Sequence, residues 1–574
     1  MEPETAVPAP SLDDDRRLGL SERVSRRPVA AAVVSGLALW ATFPPLEWSW
    51  LAWVALAPLF RLAVEPVGRR RLYLAAWAGG LAFWLPSLQW VRLTDPTAWT
   101  AWVAMTLILS LWWPAFLGLT RFAAFRLDVP LMIAAPLFWV GLEHARIFIL
   151  SGFPWYYLGH SQYLALPLIQ IADVTGALGV SFLIATVNVL VVDLLALPVL
   201  YRTRGGARIR PRQAIRIGYV AVLVVATLAY GIFRLRTARF EDGPRIALLQ
   251  TNFEQRYKSH ADPQTILAKV EALAMRAASR EPKPDLVVWP ETSYPYGAIE
   301  IDPSTPADAL KRQVDQIADG ITVAEWRARA EAIDQYMRSM ADTLDAAMLV
   351  GSLQYAHAPG GLEKYNAAVL TTPGSSGSQV YRKIQLVPFG EYVPLVDALP
   401  WLMVFTPYSD GYVPSLNFGR EANPLDLGKY KVAVGICFED TVPHLIRRFF
   451  AEAPPDRQPD VLIDASNDGW FHGSAELDMH LAVSVFRAIE NRVPLARAVN
   501  TGISAVVDGD GRIRETLPRL TEGVLHATIP LDPRTSLYTV WGDWLGLSCL
   551  AVCVGIAPTG LIYRKIRPAG DRSA

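Results

Sequence analysis

Eight apolar windows, seven before residue 240 and one after residue 539, constrain this 574-residue chain more than any other feature. They lie near 29–45, 48–64, 73–92, 98–120, 129–149, 166–199, 215–235 and 540–562. Each has the roughly 17–25 residues needed to cross about 30 Å of hydrocarbon. The sixth is long enough to tilt or to include a piece lying in the interface. Composition agrees: 52% of residues are hydrophobic, 19% are charged and mean hydropathy is +0.23, too apolar for a soluble chain of this length. The first window follows the basic stretch RRLGLSERVSRR, but acidic SLDDD precedes it and TFPPLEW follows without a small-residue cleavage pattern. It reads as an uncleaved span.

Arginine placement sets the expected orientation, because short loops rich in Lys and Arg stay cytoplasmic. One set of connections carries Arg16, Arg17, Arg23, Arg26 and Arg27; Arg69, Arg70 and Arg71; Arg121 and Arg126; the run from Arg202 to Arg216; and the tail YRKIRPAGDR. These are every second connection of an eight-span chain. The intervening loops PPLEW, RLTDPTA and SGFPWYYLGHSQ are almost free of positive charge. The expected divisions are a cytoplasmic segment 1–27, a seven-span domain 28–238, an extracytoplasmic domain 239–538, a C-terminal transmembrane helix 539–563 and a cytoplasmic tail 564–574. Net charge is +0, so no basic excess points to nucleic acid.

The polar segment is large enough for one domain with its own core. Its short apolar runs, among them PRIALLQTN, PDLVVWPE, AAMLVGSLQY, YKVAVGICFE and PDVLIDASND, suit strands buried on both faces. Helical patterns such as PQTILAKVEALAMRAASR separate them, which predicts an α/β domain. The stretch 297–326 looks long for the connection it makes.

Working groups in such domains gather beyond the carboxyl ends of strands. Glu291 closes DLVVWPE, Cys437 closes VAVGIC, and Lys383 follows the strand YNAAVL and its turn. A carboxylate can take the thiol proton, an ammonium can stabilise thiolate and oxyanion, and the thiolate can carry an acyl group. Each residue also has a plainer reading: a buried cysteine as a small hydrophobe, a loop carboxylate, a surface lysine beside Arg382. The chain has three cysteines; the other two, Cys549 and Cys553, lie in the last apolar window, and no Cys/His cluster has zinc spacing.

The segments VVWPETSYP, YRKIQLVPFGEYVP, VGICFED, SNDGWF and RAIENRVPLARAVNTGIS resemble the nitrilase superfamily and, within it, the apolipoprotein N-acyltransferase family. The resemblance implies a polytopic α-helical membrane domain joined to an α/β nitrilase-like αββα sandwich, seven spans before it and one after. It implies Glu291 as general base, Cys437 as the nucleophile that takes an acyl chain from a phospholipid, and Lys383 as stabiliser of the tetrahedral intermediate. The acceptor would be the α-amino group of a diacylglyceryl-cysteine on an apolipoprotein in the bacterial inner membrane, with no cofactor. Supporting roles fall to Glu391, Glu439 and the Phe438 backbone N–H; the loop SGFPWYYLGHSQ looks like the family's own.

Trp155, Trp401 and Phe405 are candidate lipid contacts, the last two in the aromatic stretch 399–418, which reads as a lid at the interface or an ordinary loop. Two departures stand out: Phe438 replaces the family's usual Tyr, and Ser259 stands after Lys258 where Trp is frequent. The same three residues would serve a membrane-tethered amidase acting on a small soluble amide, and the fold alone would serve a non-catalytic lipid-binding scaffold.

Overall fold

The computed structural model describes residues 27–149, 152–196, 200–203, 206–408 and 414–566. Arg16, Arg17, Arg23, Arg26, Arg204 and the tail from 567 lie outside these, as do the side chains of Arg202, Arg208 and Ser259. Helices occupy every apolar window: Pro28–Trp40, Ser49–Leu62 in short pieces, Arg69–Ser87, Trp99–Arg126, Leu131–Ala145, Ala177–Ala196, Pro211–Thr237 and Trp544–Ile566. Among the described residues three, Trp99–Arg126, Ala177–Ala196 and Pro211–Thr237, are by length and composition sufficient to cross a membrane. The sixth window breaks into Leu166–Ile169, Ala172–Thr175 and Ala177–Ala196, with Gly176 at φ +65 as the hinge.

These helices invert the usual dressing of a protein surface. Val222, Val225 and Phe233 on Pro211–Thr237 face outward, while only Gln213, Val220 and Gly231 of that helix are buried. Polar side chains turn inward, where they complete a broken backbone. The second window is interrupted at Leu56, and the N–H groups of Leu56 and Leu59 are taken up by Asn188 Oδ1 at 2.9 Å and Ser35 Oγ at 3.0 Å. Gly141 lets the C-terminal helix approach closely, since a Cβ there would lie 2.5 Å from Cys553 Sγ. Cys549 and Cys553 are buried, unpaired packing residues.

The polar segment folds into two facing sheets. The strands are β1 (Glu241–Gln250), β2 (Leu286–Val288), β3 (Tyr294–Ile301), β4 (Ala347–Ala358), β5 (Gly361–Thr371), β6 (Gln379–Arg382), β7 (Leu425–Asp426), β8 (Lys431–Ile436), β9 (Val461–Ser466), β10 (Leu495–Val499), β11 (Ser504–Val507), β12 (Ile513–Leu517) and β13 (Gly523–Leu531). One sheet runs β13-β1-β2-β4-β5-β6, with β3 also paired to β4; the other runs β12-β11-β10-β9-β8-β7. Strand alternation sorts the side chains: Ile246, Leu248, Leu286 and Val288 face the second sheet, while Ala247, Leu249, Val287 and Trp289 face the helices Pro263–Ala278 and Val323–Leu344. The second sheet carries Pro443–Ala451 and Glu476–Asn491. The segment 297–326 completes β3 and forms the helix Ala307–Val314, whose Leu310 and Val314 cover Trp326.

The two domains share one core because helix Glu476–Asn491 and the membrane helices bury each other. A buried ion network fixes the junction. Asp173 Oδ2 accepts Arg492 Nη2 at 2.7 Å and lies 2.9 Å from Arg234 Nε as an ion pair, and Arg492 Nη1 reaches Gln170 Oε1 at 2.8 Å and Asp510 Oδ1 at 2.9 Å. Removing one partner of such a group strands the rest without water. Arg492→Ala should therefore cost about 3–5 kcal/mol, read as loss of thermal stability of the detergent-purified chain. A change below about 1 kcal/mol, the scale of an exposed pair, would mean that the junction is held by apolar packing alone.

Candidate active site

The strand ends bring the sequence-predicted residues together where the sheets face each other. Glu291 follows β2 in a turn whose next residue, Thr292, has φ +47. The turn rests against β4 so tightly that a Cβ at Gly351 would come 2.2 Å from the Pro290 carbonyl oxygen. Lys383 is one residue past β6, and its backbone N–H reaches the Asn366 carbonyl of β5 at 2.8 Å. Cys437 directly follows β8 and opens the turn Cys437–Thr441 with φ +53, a left-handed backbone that a non-glycine residue adopts at a cost.

Lys383 is fully buried, with Nζ 3.1 Å from Glu291 Oε1 and 3.0 Å from Glu391 Oε2. Asn366 Nδ2 donates to both carboxylates at 2.7 Å, and the Val387 N–H donates to Glu391 Oε2 at 2.7 Å. Burial works against the Lys383 charge, but Glu291 and Glu391, with Cys437 and Glu439 behind them, outweigh it and hold the ammonium well above its ordinary pKa. Burial pushes the Cys437 thiol well above its ordinary range and the Glu291 charge adds to that, opposed by Lys383. The resting nucleophile is thus a thiol beside a carboxylate, an arrangement that needs a base at the moment of attack.

Glu439 anchors the nucleophile's turn to the other sheet. Its Oε1 accepts the N–H groups of Ile384 at 2.6 Å and Gln385 at 3.0 Å, its Oε2 accepts Ile436 N–H at 2.8 Å, and Tyr381 Oη–H lies 2.9 Å from both oxygens. Burial raises Glu439 to about 7, opposed by the Gln385 amide and the Lys383 ammonium. Phe438 follows Cys437 on the same turn, with its ring buried.

Trp155 is buried, its ring 5.4 Å from His480 and 5.8 Å from Trp90. Its loop is tied down by the membrane helix Leu131–Ala145: Arg146 Nη1 donates to the Trp155 carbonyl at 3.1 Å, and Glu143 Oε1 accepts the Leu158 N–H at 2.8 Å. Trp401 is 61% exposed and stacks edgewise on Phe405, which also meets Phe389. Their segment touches the start of helix Trp99–Ser110, where Thr100 Oγ1 donates to the Val404 carbonyl at 3.0 Å. Residues 409–413 of the expected lid lie outside the described residues.

Sequence reasoning missed Asn366, Tyr381 and Lys258. Lys258 Nζ donates to the Glu291 carbonyl at 3.1 Å and Thr292 Oγ1 at 2.8 Å, and burial lowers it to about 8. Also missed was a buried group behind Cys437 that includes Asp440, Asp464 and His480, whose potential ligand atoms lie within 4.8 Å of one another. Both His480 nitrogens already face carboxylates, Asp440 Oδ1 at 2.9 Å and Asp468 Oδ1 at 3.1 Å.

Two family models match the chain: the apolipoprotein N-acyltransferase N-terminal domain over residues 35–190 and carbon-nitrogen hydrolase over 245–538. An apolipoprotein N-acyltransferase of Geobacter metallireducens is 33% identical, covering 96% of this chain and 99% of that protein. One of Rhodopirellula baltica is 31% identical over 92% and 96%. A CN-hydrolase superfamily protein from Xanthomonas campestris of known crystal structure is 21% identical, with a TM-score of 0.33, over 56% of this chain and 97% of that one.

Glu439→Gln should lower stability by about 1–3 kcal/mol, because an amide NH₂ would then face backbone donors and leave them unpaired. Equilibrium unfolding measures this. No loss would mean that the turn does not depend on these bonds.

Proposed function

Because this chain belongs to the apolipoprotein N-acyltransferase family, we propose that it moves a fatty acyl chain from a membrane phospholipid onto the α-amino group of a diacylglyceryl-cysteine at the start of a bacterial apolipoprotein, through a thioester on Cys437. The observation that carries this reading is a buried Lys383 held against Glu291, with both charges coupled to the Cys437 thiol.

In the first half-reaction Glu291 takes the thiol proton as sulfur attacks the ester carbonyl carbon. Lys383 and the Phe438 backbone N–H stabilise the tetrahedral oxyanion. Collapse breaks the ester bond, Glu291 returns its proton to the departing lysophospholipid oxygen, and the acyl group stays on sulfur. In the second half the amine nitrogen attacks the thioester, Glu291 takes the amine proton, and collapse releases the amide and the thiolate, which is reprotonated. Glu391 keeps Lys383 charged and placed, and Glu439 holds the turn.

We assign residues 28–238 and 539–563 to the membrane, with seven spans and one, and 239–538 to its outer side, since arginine-rich connections alternate with arginine-poor ones. Exposed Trp401 and buried Trp155 are the candidate walls for lipid. Drawing a lipid into water costs roughly 0.8 kcal/mol per CH₂, and a membrane base avoids that cost. A tethered amidase for small soluble amides has no such use for the helices and the Trp155 loop buried against the catalytic domain.

Intact mass spectrometry of the detergent-purified protein incubated with phospholipid should give a hydroxylamine-labile acyl increment on wild type and none on Cys437→Ala. An increment surviving in that variant would remove Cys437 as nucleophile. Glu291→Gln and Lys383→Ala should each cost roughly 10²–10⁴ in turnover. A loss below about tenfold would mean that the role of that residue is misassigned.

A further inference from the structure

Behind the nucleophile, away from Glu291 and Lys383, lies a second set of charges with no place in the acyl-transfer steps. Asp440 is on the nucleophile's own turn, Asp464 is on β9, Asp468 opens the turn after β9, Arg497 is on β10, and Glu476 and His480 are on the helix Glu476–Asn491; all six are buried. His480 Nε2 is 2.9 Å from Asp440 Oδ1 and Nδ1 is 3.1 Å from Asp468 Oδ1. A carboxylate only accepts, so an imidazole between two of them donates from both nitrogens and is an imidazolium.

The charges close on that assignment. Burial would strip His480 of its proton, but Asp440 and Asp468 outweigh it and Arg497, and hold it well above its ordinary pKa. Burial pushes the Asp464 and Glu476 carboxyls well above their ordinary range. Asp440 and Asp468 are lowered despite burial, by His480 and Arg497. Arg497 brings a second positive charge, with Nε 3.4 Å from Asp464 Oδ2, Nη1 3.6 Å from Asp440 Oδ2 and Nη2 4.0 Å from Asp468 Oδ2.

The connection to the thiol runs through Ser466, the last residue of β9. Parallel pairing sets Ile436 of β8 opposite Ala465 of β9, which places Ser466 beside Cys437, and the Ser466 hydroxyl donates to Asp468 Oδ1 at 2.8 Å, the oxygen that His480 also reaches. Ser466 has one proton for two claimants. While the imidazolium occupies Asp468 Oδ1, that proton can turn to the sulfur as the thiolate forms; with no charge at His480, Asp468 keeps it. The Trp155 ring covers the other side of the imidazole.

We propose that His480 is a positioning residue for the nucleophile, bridging Asp440 and Asp468 so that the Ser466 hydroxyl is free to stabilise the Cys437 thiolate. This rests on Cys437 as the acylated residue. The charges facing that sulfur are Glu291 and Lys383 from the first sheet and Asp468 from the second, so a charge change at Asp468 acts on the thiol directly, and one at His480 acts through Asp468.

The test is the rate of iodoacetamide alkylation of Cys437 in the full-length detergent-purified protein, followed by peptide mass, at a pH below the thiol's own pKa, where rate tracks thiolate fraction. His480→Gln removes a positive charge and should slow alkylation by about tenfold, one pKa unit. Asp468→Asn removes a negative charge, keeps an acceptor for Ser466 and should speed it. A loosened fold exposes the thiol and speeds both variants, so opposite directions cannot come from misfolding. Equal rates in the three proteins, or a shift in the same direction in both variants, would overturn the proposal. Absence of a hydroxylamine-labile acyl group on wild-type Cys437 would instead remove the nucleophile assignment, a separate result from the alkylation rates.

Discussion

A lysine ammonium with no solvent contact is the constraint on which the site depends. Lys383 cannot keep its charge in that position unless carboxylates are brought to it, and two are: Glu291 from the end of β2 and Glu391 from the segment after β6. The second carboxylate prevents a neutral stalemate. With Glu391 also holding the ammonium, Glu291 is not its sole counter-charge. Asn366 fixes the spacing by bonding both acids from β5. Removing any one of these groups leaves a buried bond of the others unmade, so they act as one network.

The same logic repeats at the domain junction. Asp173 belongs to the membrane part and Arg492 to the end of a catalytic-domain helix, at φ +52, and Arg234 ends the last helix before β1. The Trp544 indole adds a bond to the Val174 carbonyl at 2.8 Å from the C-terminal helix. The catalytic domain is thus clamped at its entry, in its body and at its exit. A hydrophobic interface alone would leave it free to slide; directional bonds between buried charges fix its orientation over the helices.

What could be read from the chain follows from what is local. The places of Glu291 and Cys437 beyond strand ends were legible because short apolar runs mark the strands. Apolar windows located the membrane helices, although the break at Gly176 was visible only as excess length. Asn366 and Tyr381 were not legible, since their importance comes from cross-strand register: Asn366 matters because Lys383 lies opposite it. The helix Glu476–Asn491 was the hardest case, with Glu476, His480, Arg487 and Glu490 all buried. Its charges face neighbouring elements rather than water, so an amphipathic pattern carries no record of them.

Glu291 and Lys383 are closed off by protein, and of the three proposed catalytic side chains only Cys437 is partly open. In the proposed reaction both half-reactions pass through the Cys437 sulfur, so donor and acceptor take turns. The acylated protein becomes a charged carrier that waits. Its lifetime is set by how well water is kept from the thioester, and the surrounding side chains guard an intermediate as much as they perform a reaction.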